Sequence, residues 1–228
     1  MSRNILLTGA FTPEIRILMR AVSGGALDDS PVLGELFDEP VRLEAFECGI
    51  GNITAALNLQ ERILRAAVPV DEVVFLGSAG VYPSAVVGYL LPAEFGFSRN
   101  FSNYEINVLE GRGKIPDLMV ARIRTDPGHL GRRIITGLSL PEGQVNSPDS
   151  LTLSPADRDG VYHPLDFENM EVFGLASVAR RHNIPFCAIF ALTNTVGPDG
   201  SREWAASHQT LGEELQERIL RLLKGEEV

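Results

Sequence analysis

The sequence predicts an α/β fold, a single domain over residues 1–228 with a central sheet flanked by helices. Three observations carry that reading. Short apolar runs alternate with helical patterns along the chain. Three of those runs open onto small-residue turns: Gly9-Ala10, Gly49-Ile50-Gly51 and Gly77-Ser78-Ala79-Gly80. Finally, Pro185 to Leu192 is an unbroken apolar run of strand length, the pattern of a strand covered on both faces. No linker-like change in composition divides the chain, and 228 residues can bury a substantial core.

Taken in order, Asn4 to Thr8 reads as a strand. Thr12 offers an N-cap hydroxyl and Pro13 a preformed first helical residue, so a helix is expected from Pro13 to Ser23, ending at Gly24-Gly25. Glu14 falls in its first turn, where it either complements the helix dipole or faces a ligand at the carboxyl edge of the sheet. Residues 23–40 form a polar connection, punctuated by Gly, Asp and Pro, with one helical turn. Val41 to Cys48 is the next strand, and Ile53 to Val68 the next helix, stopped by Pro69. The intervening Gly-x-Gly is more often a packing turn than a phosphate cradle.

Glu72 to Leu76 is a buried strand leading to the Gly77–Gly80 turn, whose small residues either give flexibility or let a ligand approach the backbone. Val86 to Leu91 reads as a strand, and Phe95, Phe97, Phe101 and Tyr104 as core or subunit interface. Arg112 to Pro127 carries no clear pattern. Arg132 to Leu140 reads as a strand opening onto a long polar loop, Pro141 to Pro164, of a length that is often functional or mobile. A helix is expected from Phe167 to Arg181, stopped by Asn183-Ile184-Pro185. Thr193, Asn194 and Thr195 follow the apolar strand as a polar loop, where α/β sheets bind ligands. Glu203 to Lys224 is a packing helix with Leu211, Leu215, Ile219 and Leu222 on one stripe.

Glu171 stands between Met170 and Val172-Phe173, so its carboxylate meets an apolar surface. Either it complements a helix amino end, or it accepts hydrogen bonds from vicinal hydroxyls above Met170. Bulk properties narrow the partners. A formal net charge of −10 argues against a nucleic-acid backbone or an anionic membrane. There is no apolar run long enough to span a bilayer and no signal-peptide pattern, so a cytoplasmic protein is expected. Cys48 and Cys187 read as reduced core residues, and the four histidines are too scattered for a metal site. No cofactor is expected.

The segment Asp166 to Trp204 resembles the nucleoside phosphorylase/nucleosidase superfamily. The match rests on Met170-Glu171, on Asn194 at the end of the next strand, and on the turns at Gly9–Glu14, Gly49–Gly51 and Gly77–Gly80. Thr193-Asn-Thr-Val-Gly-Pro198 followed by Trp204, with Met170-Glu-x-Phe-Gly174, is similar to the futalosine hydrolase branch. The resemblance implies a mixed, twisted sheet in a three-layer fold and cleavage of a purine N-glycosidic bond. Glu14 would activate water and Ser78 would hold it. Ala79, Gly80, Asn169, Met170 and Glu171 would face the nucleoside, with Glu171 on the ribose. Asn194 would read the purine, and Asn146 and Ser147 lie in the segment that lines the base pocket in relatives.

An Asn there suits a 6-oxopurine, because its amide donates to N7 and accepts from a neighbouring N–H. Relatives that act on methylthioadenosine or S-adenosylhomocysteine have an Asp. The implied reaction is release of hypoxanthine from futalosine, a step of menaquinone biosynthesis. The rivals are a methylthioadenosine/S-adenosylhomocysteine nucleosidase and a nucleoside-binding protein without activity. Relatives are homo-oligomers, so self-association is expected. Two departures stand out. Phe75 replaces a phosphate-binding Arg of phosphorolytic relatives, which favours hydrolysis, and Phe190 replaces an Arg that nucleosidases usually carry near the water. After Pro198 the run Asp199-Gly-Ser-Arg202 also differs from the Arg-Asp-Arg of futalosine hydrolases.

Overall fold

A computed structural model describes residues 3–83, 94–103, 121–153 and 165–227. The elements run β1 (Arg3–Gly9), α1 (Thr12–Ser23), α2 (Pro31–Leu36), β2 (Val41–Glu47), α3 (Asn52–Arg65) and β3 (Glu72–Val81). After these come β4 (Phe95–Asn103), β5 (Ala121–Arg124), α4 (His129–Gly137), β6 (Glu142–Asn146) and β7 (Phe167–Glu168). The chain closes with α5 (Val172–Arg181), β8 (Phe186–Thr195) and α6 (Gly200–Leu223).

The sheet is mixed. Its order is β2-β1-β3-β7-β6-β4-β5, with β8 pairing both β3 and β4. β1 runs parallel to β2 and β3, and β8 runs parallel to β3 but antiparallel to β4. The ladders β3–β7, β7–β6, β6–β4, β4–β8 and β8–β3 therefore close into a ring.

Strand alternation builds two cores from one set of strands. Along β8, Phe186, Ala188 and Phe190 pack on one face with α3 and α5. Cys187, Ile189 and Ala191 pack on the other with α1, α4 and α6. Burial on both faces is why this strand has no polar stripe. Both cysteines are buried and free. Gly174 lets α5 touch the start of α3, since a Cβ there would sit 2.2 Å from the Asn52 carbonyl oxygen.

Several expectations are corrected. Arg132–Leu140 is not a strand. Residues 129–137 form α4, which buries Leu130 and Ile134 one turn apart. Its amino end is held by Glu72, which accepts from Leu130 N (3.1 Å) and Gly131 N (2.8 Å). A carboxylate delivered from 58 residues away cannot be read from local pattern. The helix expected from Phe167 starts only at Val172, because Phe167–Glu168 pairs with both β3 and β6. The Gly77–Gly80 stretch is not a turn but the end of β3, and Thr193–Thr195 is not a loop but the end of β8. Thr12 does not cap α1. Phe11 stands at that position, and the Thr12 hydroxyl donates to Glu47 instead (2.6 Å). The strand expected at Val86–Leu91, Tyr104 and residues 154–164 of the expected loop lie outside the described residues, and Glu142–Asn146, expected within that loop, is instead strand β6, paired with β4 and β7. Phe95, Phe97 and Phe101 are core.

Candidate active site

The carboxyl ends of β1, β3 and β8 surround a cavity of about 410 Å³, a volume typical of small-ligand sites. Glu14, Ser78, Ala79, Gly80, Asn169, Met170, Glu171 and Asn194 all line it. Asn146 and Ser147 do not. Both are fully buried behind the wall, where Asn146 Nδ2 donates to the Tyr82 hydroxyl (3.1 Å) and the Ser147 hydroxyl donates to Asn52 Oδ1 (3.0 Å).

Glu14 is placed by the turn that links β1 to α1. Its Oε2 accepts from Ala10 N (3.0 Å), and its Oε1 accepts from both the amide and the hydroxyl of Ser78 (2.8 Å each). The Ser78 hydroxyl in turn accepts from Trp204 Nε1 (2.9 Å) at the start of α6. Indole N–H is only a donor, so it turns the serine hydrogen toward Glu14. Trp204 is stacked on His208 with centroids 3.9 Å apart, which fixes its plane. Phe75 and Phe190 are fully buried and meet edge to face at 6.3 Å. Burial raises the Glu14 pKa to about 7, and the nearby Glu171 carboxylate adds to the rise against the pull of Ser78 and Ala10.

Glu171 sits just before α5, its Oε1 accepting from Gly51 N (2.9 Å). Gly51 has a φ of 85°, so the Gly-x-Gly turn aims an amide that most side chains would misdirect. Burial raises the Glu171 pKa as well. Asn169 sets the neighbouring backbone. Its Oδ1 accepts from the amides of Glu171 (3.0 Å) and Val172 (3.1 Å), while Nδ2 donates to the Ser78 carbonyl (3.0 Å).

A bulge decides which side chain the end of β8 presents. Ala79 pairs with Leu192, but Gly80 pairs with Asn194, so Thr193 is the extra residue. Without it Thr193 would stand opposite Gly80. The amide of Asn194 is oriented, because Oδ1 accepts from the Thr193 hydroxyl (3.0 Å) and Nδ2 donates to the Thr195 carbonyl (3.2 Å). Its second amide hydrogen is left for the cavity.

Sequence reasoning did not assign Phe11, Ile50, Leu151, Thr152, Leu153, Glu168 or Trp204 to the site, yet all line the cavity. Trp204 shows that α6 does more than cover the sheet. Its spacing from the Val-Gly-Pro run was a signal, and Glu168 had one too, as a charge two residues before Met170-Glu171. Among the described residues no Lys, Arg or His lines the cavity, and no His/Cys/Asp/Glu group is arranged to hold a metal.

The family model for the phosphorylase superfamily matches residues 30–225. The chain belongs to the phosphorylase superfamily. Within that superfamily its fold is shared with solved structures at low identity. A methylthioadenosine/S-adenosylhomocysteine nucleosidase from Colwellia psychrerythraea, solved with adenine, is 19% identical, with 99% of this chain and 98% of that one covered and a TM-score of 0.70. A futalosine hydrolase mutant of Helicobacter pylori is 17% identical, with 96% and 98% covered and a TM-score of 0.69. The corresponding nucleosidase of Neisseria meningitidis, solved with methylthio-immucillin-A, is 19% identical, with 98% and 99% covered and a TM-score of 0.67. No curated protein sequence matches the chain. The mixed sheet flanked by helices that the resemblance implied is the fold observed.

Proposed function

We propose that this superfamily member hydrolyses the N-glycosidic bond of a purine nucleoside, with futalosine as substrate and hypoxanthine as the released base. The carrying observation is Glu14, a buried carboxylate with a pKa near neutrality, facing a cavity whose described lining has no cation. A phosphate dianion in such a wall would lack every charge-assisted partner, so water is the nucleophile.

In the reaction, Glu14 accepts a proton from water as the water oxygen bonds to C1′ of the ribose. The C1′–N9 bond breaks and its electron pair moves into the purine, where Asn194 Nδ2–H donates to N7; the purine anion then takes a proton from solvent to leave as the neutral base, and Glu14 returns its proton to solvent. Glu171 holds the ribose hydroxyls above Met170, and its negative charge favours the oxocarbenium-like sugar. Ser78 and Trp204 keep the Glu14 oxygen oriented. The Phe75–Phe190 pair does part of what an arginine would not: it keeps Glu14 basic enough to take a proton.

Self-association fits the same reading. Ile53, Leu57 and Leu64 form one exposed stripe on α3, 72%, 64% and 69% accessible, beside the cavity-lining Ile50. We infer that a second copy of the chain covers it. Sedimentation should then show a dimer or larger assembly that Leu57→Glu dissociates.

The direct test incubates the protein with futalosine, methylthioadenosine and inosine, with and without phosphate, and quantifies free base. Hypoxanthine from futalosine, independent of phosphate, is the expected result. Adenine from methylthioadenosine alone would replace the substrate and keep the mechanism. Release of no base from any of them would leave a binding protein.

A further inference from the structure

The amino end of α5 is capped by side chains that come from other segments. A helix leaves its first four amides without a partner inside it. In α5 these belong to Glu171, Val172, Phe173 and Gly174, since Leu175 N donates to the Glu171 carbonyl (3.2 Å). Glu171 stands at the N-cap position, where a polar side chain ordinarily turns back onto the second or third helical amide. It does not do so. Its carboxylate lines the cavity instead, held there by Gly51 N.

Three other side chains take the amides. Asn169 Oδ1 accepts from Glu171 N and Val172 N. The Ser147 hydroxyl accepts from Phe173 N (3.2 Å), and Asn52 Oδ1 accepts from Gly174 N (2.8 Å). Ser147 and Asn52 also bond each other. The Ser147 hydroxyl donates to Asn52 Oδ1, while Asn52 Nδ2 donates to the Ser147 carbonyl (2.9 Å) and to Asp149 Oδ1 (3.1 Å). The Asn52 amide thus accepts twice and donates twice, which is its full capacity. Both residues are buried, with 7% of Asn52 and none of Ser147 exposed. Asn52 follows Gly51 directly, so two consecutive residues grip the start of α5, one through the Glu171 carboxylate and one through the Gly174 amide.

We propose that Asn52 and Ser147 are positioning residues for Glu171: they cap α5 in its place and so keep its carboxylate turned into the cavity, available to the ribose hydroxyls. This rests on the nucleosidase reading above and deepens it. Removing either oxygen leaves a first-turn amide bare in a buried place, which is costly. An N-cap carboxylate within one turn is the natural replacement, because the helix dipole also favours it there. Glu171 would then swing onto its own helix and leave both Gly51 N and the ligand. Ser147, expected in the base pocket, acts on the cavity from behind its wall.

Trp204 is the only tryptophan in the chain and lines the cavity, so stopped-flow fluorescence reports binding before turnover. The probes are inosine, 2′-deoxyinosine and hypoxanthine, titrated into the wild type, Asn52→Ala and Ser147→Ala. The wild type should bind inosine about tenfold tighter than 2′-deoxyinosine, the worth of one hydrogen bond to a charged group. Asn52→Ala should bring that ratio close to one, while hypoxanthine, which has no sugar, binds as before. Ser147→Ala should lower the ratio by less, and it carries the test if Asn52→Ala does not fold. In a Glu171→Ala background, adding Asn52→Ala should move the ratio no further, because the effect runs through the carboxylate. A wild type that binds both nucleosides alike, or neither, overturns the proposal. So does a ratio that survives both alanine variants, or hypoxanthine weakened as much as inosine, the mark of a general loss of packing. If the ratio falls as expected while the wild type releases no base from any nucleoside, the nucleosidase reading fails and this one stands.

Discussion

Glu14, in the first turn of α1, and Glu72, at the start of β3, are buried carboxylates held in the same way, yet only Glu14 lines the cavity. Each is buried, each accepts two backbone amides, and burial raises the pKa of each. Around Glu72 the surroundings finish the job. Its amides belong to the first turn of α4, His129 and Arg132 pull its pKa down, and Gly128 and Gly131 close over it, with a Cβ on Gly128 only 2.2 Å from the carboxyl. Around Glu14 they do the reverse. Glu171 adds a like charge, no Lys, Arg or His is among the described residues lining the cavity, and open space lies beside the oxygens. A buried acid is structural when its neighbours neutralise it and chemical when they leave it dissatisfied.

The sharpest break between the two is catalytic. Glu14→Gln keeps size but cannot take a proton and sets an amide N–H2 against at least one of the donors that Glu14 accepts, and should lower kcat by 10² to 10⁴, the usual worth of a positioned base. Glu72→Ala should leave kcat per folded molecule unchanged. Base-release rates normalised to folded protein check both. The pH profile belongs to the same experiment. Glu14 works only as the anion, so kcat/KM should fall about tenfold per unit below pH 7 and level above it.

Stability should move the opposite way. The Glu14 pKa is raised from 4.5 to about 7 on folding, so the native state binds more protons than the unfolded chain between those values. Stability contributed by this site is therefore lost as pH rises from about 4.5 to 7. At roughly 1.4 kcal/mol per unit, the cost above pH 7 is about 3 kcal/mol. Glu14→Gln should then raise stability at pH 8 and change little at pH 4, measured by urea unfolding at both. Glu72→Ala should destabilise by about 1–3 kcal/mol, because it strands the Leu130 and Gly131 amides. A stabilising Glu72→Ala, or a neutral Glu14→Gln at pH 8, would erase the distinction.

The sequence made Glu14 visible and hid Glu72, and the reason is range. Glu14 lies five residues beyond Gly9 on one strand–turn–helix unit, so local pattern places it at a sheet edge. The partners of Glu72 are 58 and 59 residues away, and without them 132–140 looks like a strand. Local apolar runs gave β1, β2, β8 and the long helices within a few residues. The Thr193 bulge, which aims Asn194, and the three-strand register that brings Glu168 opposite it, exist only in the folded sheet. A two-residue strand such as β7 has no pattern to read.

The smallest expected effect separates the two acids by what tunes them. Glu14 has a polar relay, Trp204 Nε1 to the Ser78 hydroxyl to Oε1, and every described side-chain-to-backbone bond of Glu72 is to an amide. Ser78→Ala removes a hydrogen bond to the charged form, so the Glu14 pKa should rise further and the acid limb of kcat/KM should move to higher pH by about one unit. Trp204→Phe keeps an aromatic ring beside His208 but frees the serine hydroxyl to turn away. It should shift the limb in the same direction by less, leaving the plateau rate nearly intact. If the relay only packs α6 against β3, both variants will lose stability while the limb stays at about pH 7. A limb that moves upward without loss of fold shows that Trp204 tunes the base through Ser78, which no neighbour does for Glu72.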